Sequence, residues 1–131
     1  EWLDGDRLRT RQIRPAVGRH PETGEMVWFN QAHLFHVSNL GAEGEASMRS
    51  VFADEELPRH AYYGDGTSIS NEDLAEVRRA LDAATVAFLW QQGDVLLLDN
   101  MLIAHGRRPY RGARTILTAL AQPYTLPTTQ R

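Results

Sequence analysis

The stretch WQQGDVLLLDNMLIAHGRRPYRGAR, residues 90–114, decides how this sequence is interpreted. An apolar run follows a Gly-Asp turn and leads to a single histidine, His105, and then to four arginines, namely Arg107, Arg108, Arg111 and Arg114. Unbroken apolar runs of about four to eight residues, bounded by turn signals, are typical of strands buried on both faces. The stretch therefore predicts buried strands, and it raises the question of which groups act together with His105.

The rest of the chain predicts a mainly β architecture with one clear helix. Further strands are expected at 8–17 and 26–29, on either side of the turn sequence GRHPETGE, and at 86–90 and 114–124. Residues 28–40 are expected to be extended or irregular, and 41–50 form a polar stretch. The helix is expected near 71–84, where Ser70 and Asp73 resemble a capping box and an apolar stripe is formed by Leu74, Val77, Leu81 and Ala84.

Composition places the chain among ordinary globular proteins. It has 131 residues with 42% hydrophobic and 24% charged residues, a formal net charge of −3 and no cysteine. This balance gives no support to nucleic-acid binding, and no apolar run approaches the roughly 20 residues of a membrane helix. The absence of cysteine excludes disulfides and thiolate ligands and is compatible with a cytoplasmic setting. We expect a single domain over 1–131.

His105 and Arg114 form the candidate site. His105 ends one predicted strand and Arg114 opens the next, so their side chains can point into one cavity if the strands pair. A neutral imidazole is the commonest metal ligand, and a guanidinium grips a carboxylate through two parallel hydrogen bonds. An iron enzyme that uses a keto acid needs both groups close together. By spacing alone, however, a His and an Arg nine residues apart are more often unrelated.

A family resemblance changes the weight of that hypothesis. The segments HPETGEMVWFNQAHLFH and YYGDG, and above all the stretch at 90–114, resemble the C-terminal half of the TauD/TfdA family, in its clavaminate synthase-like and SyrP-like branch. The resemblance covers 8–124 and implies the C-terminal part of a double-stranded β-helix, or jelly-roll, core. It implies that His105 is an iron ligand and that Arg114 binds the side-chain carboxylate of 2-oxoglutarate.

The resemblance also implies the reaction. Family members are non-haem dioxygenases that use Fe(II), O2 and 2-oxoglutarate as cosubstrate to hydroxylate an unactivated C–H bond. The SyrP-like branch suggests an amino acid substrate from secondary metabolism, either free or bound to a carrier protein. By position in the resemblance, Asn30, Gln31 and Asp65 are the candidate substrate-binding residues. No residue is assigned as a catalytic acid or base, no nucleic-acid or membrane partner is expected, and a homo-oligomer is possible.

One part of the family's iron site is missing. Two of its three ligands come from an H-x-D/E motif that lies well before the distal histidine. The one formal match, His20-Pro21-Glu22, belongs to the HPETGE turn and is not interpreted as a ligand pair. We therefore expect this chain to be part of a longer one and to be inactive alone. Two alternatives stay open: a cupin-like metalloprotein using His33, His36 and His105, and a non-catalytic β-domain.

The remaining polar and aromatic residues are given structural roles. His33 and His36 are expected to be structural or to line a pocket, and His60 is expected to be solvated. Asp94 and Asp99 are expected to fix turns. A solvated loop is expected for the three arginines before Arg114, and a place in the core is expected for three aromatic residues, namely Trp28, Phe29 and Trp90.

Overall fold

The computed structural model describes residues 1–3 and 5–125 and divides into two compact units. Unit 1 comprises Glu1–Arg14 and Gln31–Asp94, and unit 2 comprises Pro15–Asn30 and Val95–Arg131, of which 126–131 lie outside the described residues. The strands are β1 Trp2–Leu3, β2 Arg7–Leu8, β3 Val17–Arg19 and β4 Met26–Trp28. The helices are α1 Ala32–Phe35, α2 Gly41–Val51 and α3 Asn71–Ala83, with 3₁₀ turns at Val37–Leu40 and Asp54–Glu56.

A hairpin in unit 2 confirms the turn predicted at GRHPETGE and the strand predicted at 26–29. β3 and β4 pair antiparallel, with Gly18 opposite Val27. The turn closes through the Gly24 N–H, which donates to the His20 carbonyl at 3.0 Å, and Gly24 has φ 73°, a left-handed conformation that favours glycine. The strand predicted over 8–17 is wrong in its middle, because only its two ends are paired, in β2 and β3.

Helix α3 in unit 1 confirms the helix predicted at 71–84. The Ser70 hydroxyl accepts a hydrogen bond from the Asp73 N–H at 3.0 Å, as an N-cap does. Leu74 is buried in the apolar stripe, and Val77 and Leu81 are half-buried. On the same helix, Arg78 donates to the His33 carbonyl at 2.7 Å, which ties α3 to α1.

The helical content before α3 departs from expectation. The extended or irregular chain expected at 28–40 is wrong for Ala32–Phe35 and Val37–Leu40, which form α1 and the first 3₁₀ turn. The polar stretch at 41–50 forms α2, where an ion pair between Arg49 Nε and Glu45 Oε1 at 2.9 Å joins neighbouring turns. Helix α2 has no fully buried side chain. Its sequence accordingly lacks the apolar stripe by which an amphipathic helix is predicted.

The apolar runs after α3 do not form the predicted strands. Within the described residues, the segments 86–90, 95–99 and 114–124 are irregular, and their apolar side chains are largely exposed: Val86 88%, Leu89 91%, Val95 93%, Leu97 95% and Leu117 90%. A strand is stable only beside a hydrogen-bonded partner and beneath a packed layer, and the described chain supplies neither here. Trp28 and Trp90 are likewise 42% and 44% exposed, which contradicts their core assignment.

The described fold is therefore a mixture of short antiparallel strands and a few helices, and the jelly roll stays a prediction. Among the residues that the structure describes, the buried apolar side chains are Val37, Leu57 and Leu74, all of which belong to unit 1. In the part of the chain that the structure describes, no helix is both long and apolar enough to cross a membrane.

Candidate functional site

His105 lies in unit 2 on an exposed irregular segment that follows a turn. The turn is formed at Asp99, whose carbonyl accepts the N–H groups of Leu102 at 3.2 Å and Ile103 at 3.0 Å. Two residues later, His105 is exposed and makes no hydrogen bond with the described residues, so both of its ring nitrogens are available to a ligand. An exposed imidazole is a common ligand of divalent metals.

Arg114 belongs to the same unit and is also exposed. Its guanidinium carbon lies 3.8 Å from the ring centroid of Tyr110, within the range of a cation–π contact. Stacking uses the face of the guanidinium and leaves its N–H edge free to bind a carboxylate with two hydrogen bonds. The other three arginines of this loop are exposed, as expected of a solvated loop.

The described residues do not complete a metal site. Among them, no three His, Cys, Asp or Glu side chains gather in an arrangement that could hold a metal ion. His20, the histidine of the formal H-x-E, is 4% exposed. Its Nδ1 accepts N–H groups from Glu22 and Thr23, and its Nε2 lies 2.9 Å from Asp99 Oδ2. Both ring nitrogens are occupied, which supports its exclusion as a ligand.

The other histidines form a cluster in unit 1 rather than an open metal site. His36 is 2% exposed and its Nδ1 lies 2.9 Å from the Ser38 hydroxyl, so a structural role is favoured over coordination. His60 was expected to be solvated, and this is wrong. Its ring centroid lies 4.3 Å from that of His36, and its Nδ1 accepts the Val37 N–H at 3.3 Å.

Burial governs the titration of this histidine cluster, which we define as His33, His36 and His60. Loss of hydration lowers the pKa of His33, with a smaller contribution from the positive charge of Arg78. The same cause lowers the pKa of His36 and of His60. A lowered pKa favours the neutral form of each ring. The cupin-like alternative takes two ligands from this group, of which His36 is buried and His33 is half-buried.

Of the three candidate substrate residues, Asn30 and Gln31 are consecutive, whereas Asp65 lies in the YYGDG loop. Asn30, in unit 2, donates from its side-chain amide to the Ala16 carbonyl, and Gln31, in unit 1, is exposed at the start of α1. Asp65, also in unit 1, accepts the N–H of Thr67 at 2.9 Å and its hydroxyl at 2.7 Å, which closes the YYGDG loop. Their substrate role stays a prediction.

Sequence reasoning missed two definite polar contacts, one made by Asp99 and one made by Arg78. Asp94 and Asp99 fix turns as predicted, since each carboxylate accepts backbone N–H groups, but the partnership of Asp99 with His20 was missed. These two residues are 79 positions apart, so no local spacing indicates the pair. Arg78 was missed because a charged residue on a helix is usually solvated.

Comparisons with known proteins agree with the resemblance seen in the sequence. The sequence profile of the family described as "Taurine catabolism dioxygenase TauD, TfdA family" matches residues 1–120. The dapdiamide synthesis protein DdaC of Enterobacter agglomerans is 45% identical over 123 residues, which cover 94% of this chain and 37% of that protein. A clavaminate synthase-like protein of Arabidopsis thaliana is 39% identical over 124 residues, which cover 93% of this chain and 34% of that protein.

The chain thus spans about a third of the length of the curated relatives that it matches. No solved structure matches it. The family profile covers most of the chain, including both His105 and Arg114. This chain belongs to the TauD/TfdA family of dioxygenases.

Proposed function

We propose that this chain is the C-terminal part of an Fe(II)- and 2-oxoglutarate-dependent dioxygenase domain. The observation that carries the proposal is the family match over 1–120, which includes the positions of the exposed imidazole and the exposed guanidinium. The alignment with the two curated relatives supports the same proposal, since each alignment covers more than nine-tenths of this chain.

His105 and Arg114 have separate roles in the proposal. His105 holds the iron through one of its available ring nitrogens, and Arg114 binds the carboxylate of 2-oxoglutarate that lies farther from the metal. These two residues fit their share of the site. The described chain does not supply the other iron ligands, which the proposal assigns to the rest of the complete protein.

The substrate we propose is an amino acid, either free or bound to a carrier protein. Bound iron with 2-oxoglutarate and O2 supplies the oxidant for hydroxylation of an unactivated C–H bond. Both relatives carry names of small-molecule biosynthesis, one for dapdiamide synthesis and one for clavaminate synthase-like chemistry, which favours a small substrate. Asn30, Gln31 and Asp65 offer an amide, an amide and a carboxylate, the groups that recognise an amino acid's ammonium and carboxylate.

The experiment that tests the proposal replaces Arg114 in the complete protein. We expect Arg114→Ala to raise the 2-oxoglutarate concentration needed for half-maximal turnover by about 10²-fold, because a charge-assisted contact worth roughly 2–3 kcal/mol is lost. Arg111→Ala is the matched control, since Arg111 is an exposed arginine of the same loop, and it should leave this concentration unchanged. Equal effects of the two variants would remove Arg114 from the role.

A second arm tests the metal. Titration of the complete protein with Fe(II) under anaerobic conditions should show binding that His105→Ala abolishes, because one nitrogen ligand is removed. The 131-residue chain alone should produce no succinate from 2-oxoglutarate when Fe(II) is added. Steady succinate production by the isolated chain would contradict the assignment of the missing ligands to the rest of the protein.

A further inference from the structure

His20 is a buried histidine for which the proposed reaction has no direct use. It lies in the turn of the β3–β4 hairpin, and only 4% of its surface is exposed. Its Nδ1 accepts the backbone N–H groups of Glu22 at 3.3 Å and Thr23 at 3.1 Å. A nitrogen that accepts two N–H groups carries no proton, so the proton of the neutral ring lies on Nε2.

The Nε2–H of His20 donates to Asp99, which is the residue that forms the turn before His105. The distance between His20 Nε2 and Asp99 Oδ2 is 2.9 Å. The other carboxylate oxygen, Oδ1, accepts the N–H of Met101 at 3.0 Å, and the Asp99 carbonyl accepts the N–H of Ile103 at 3.0 Å. One carboxylate thus joins the hairpin turn to the turn that leads to His105.

We infer that His20 is a positioning residue for His105. By donating to Asp99, His20 fixes the carboxylate that shapes the 99–103 turn, and this turn sets the position of the His105 side chain. This inference rests on the proposed function, because it takes His105 as the iron ligand. The chain of contacts lies within unit 2 and consists of His20, Asp99, Met101 and Ile103. His20 acts through Asp99 in this proposal and is therefore a positioning residue, not a catalytic one.

Hydrogen bonds to a charged carboxylate are stronger than those between neutral groups, so the contact from a buried imidazole restrains Asp99 firmly. Burial of His20 strengthens this restraint further. A ring with little access to water has no alternative partner for its Nε2–H, and loss of Asp99 would leave that donor unsatisfied. Groups that orient metal ligands from outside the metal's own coordination shell commonly change metal affinity by about 10–100-fold when removed.

Two amide substitutions in the complete protein separate positioning from simple support of the hairpin. His20→Gln places an amide N–H near the former Nε2, which keeps a donor to Asp99. His20→Asn places its amide near the former Nδ1, which keeps an acceptor for the turn N–H groups and loses the contact with Asp99. We expect His20→Asn to raise the Kd for Fe(II), measured anaerobically, by about tenfold, and His20→Gln to raise it far less.

The second readout needs no metal. In the metal-free protein, amide hydrogen exchange at Met101, Leu102 and Ile103 should accelerate in His20→Asn and stay near the original rate in His20→Gln. Thr23→Val is the matched control, because it removes the hydrogen bond from the Glu25 N–H to the Thr23 hydroxyl and leaves His20 intact. It should destabilise the hairpin without changing exchange at 101–103 or the Kd for Fe(II).

The outcomes distinguish this inference from the proposed function. Equal exchange at 101–103 in the two amide variants, or an effect of Thr23→Val as large as that of His20→Asn, overturns the positioning role while iron binding by the original protein stands. Failure of the original complete protein to bind Fe(II) overturns the proposed function and the positioning of an iron ligand with it. Faster exchange and weaker iron binding confined to His20→Asn support both.

Discussion

Arg114 stacks on Tyr110 in its loop, with its guanidinium carbon 3.8 Å from the centroid of the Tyr110 ring. Stacking of this kind is worth about 0.5–1 kcal/mol at an exposed site, and it restrains the plane of the guanidinium without using its N–H donors. The contact therefore orients the residue to which we assign the 2-oxoglutarate carboxylate, in addition to any effect on stability.

We predict a small and specific loss when that support is removed. Tyr110→Ala in the complete protein should raise the 2-oxoglutarate concentration for half-maximal turnover by about two- to fivefold, the equivalent of about 0.5–1 kcal/mol. Tyr110→Phe retains the ring and should leave the value unchanged. Steady-state kinetics at varied 2-oxoglutarate measure both. Equal losses in the two variants would indicate that the hydroxyl, and not the ring face, matters.

For individual residues, the sequence suggested candidate site residues more readily than it suggested long-range contacts between side chains. His105 and Arg114 were proposed as site residues because their residue types and order match a family pattern, and this role stays a prediction, whereas Asp99 was correctly placed in a turn. The bond from His20 to Asp99 spans 79 positions and depends on how the hairpin folds back, which no spacing rule contains. His60 was misplaced for a similar reason, since its ring partner His36 lies 24 positions earlier in a segment expected to be extended.

Among the elements, α3 has the clearest sequence signals because they are all local. Its N-cap, the acidic residues of its first turn and the Leu74 stripe lie within one segment, so the sequence alone predicts it. Helix α2 shows the opposite case. Its side chains are exposed or half-buried, and it contains two glycines, Gly41 and Gly44, which are poor helix formers.

The cap of α3 gives a prediction for this element. Ser70→Ala should lower the free energy of unfolding by about 1 kcal/mol, because the Asp73 N–H loses its acceptor. Ser70→Asp keeps an acceptor at the N-cap and should retain most of the stability. Urea unfolding followed by circular dichroism measures the difference. An alanine variant as stable as the original chain would show that water replaces the cap without cost.

The histidine cluster, which joins α1, the following 3₁₀ turn and the segment at His60, makes unit 1 sensitive to acid. Burial lowers the pKa of each ring below its ordinary value, so the unfolded chain binds more protons than the folded chain as the pH falls through about 6.5. The free energy of unfolding therefore decreases as the pH falls from about 7, and it levels off once the folded rings are also protonated.

We predict that His60→Gln reduces this acid sensitivity. The glutamine does not titrate, and its amide oxygen can accept the Val37 N–H in place of Nδ1. Thermal unfolding between about pH 7.5 and 5 should show a smaller decrease of Tm for the variant than for the original chain. The control is Glu76→Gln at an exposed position of α3, which should leave the slope unchanged in that range. Identical slopes for all three proteins would contradict the assignment.

For the whole molecule, the fold predicted from the sequence differs most from the described fold in the apolar runs after α3. Fully burying one large apolar side chain stabilises a fold by about 1.5–3 kcal/mol, and net stabilities are only about 5–15 kcal/mol. Residues such as Leu89, Leu97 and Leu117 are at least 90% exposed, so the described chain forgoes a contribution as large as a typical domain's total. The patterns that predicted buried strands correctly identified apolar segments, but a buried strand requires partners that the described residues do not contribute.

We therefore expect the complete protein to cover these side chains. The relatives are about three times as long as the matched region, which leaves ample chain to pair with 86–90, 95–99 and 114–124. Hydroxyl-radical footprinting should show slower oxidation of Leu89, Leu97 and Leu117 in the complete protein than in the 131-residue chain. Leu74, which is 2% exposed, is the internal control and should be protected in both.

The comparison must separate covering by the rest of the protein from self-association of the isolated chain, since unpaired apolar segments favour both. Footprinting of the isolated chain over a range of concentrations makes this distinction. Protection that grows with concentration reports association between copies, which mass action requires, whereas protection in the complete protein should be independent of concentration. If the three leucines are oxidised equally fast in the complete protein and in the dilute isolated chain, these runs are not buried strands, and the jelly-roll expectation for this part of the family fold is wrong.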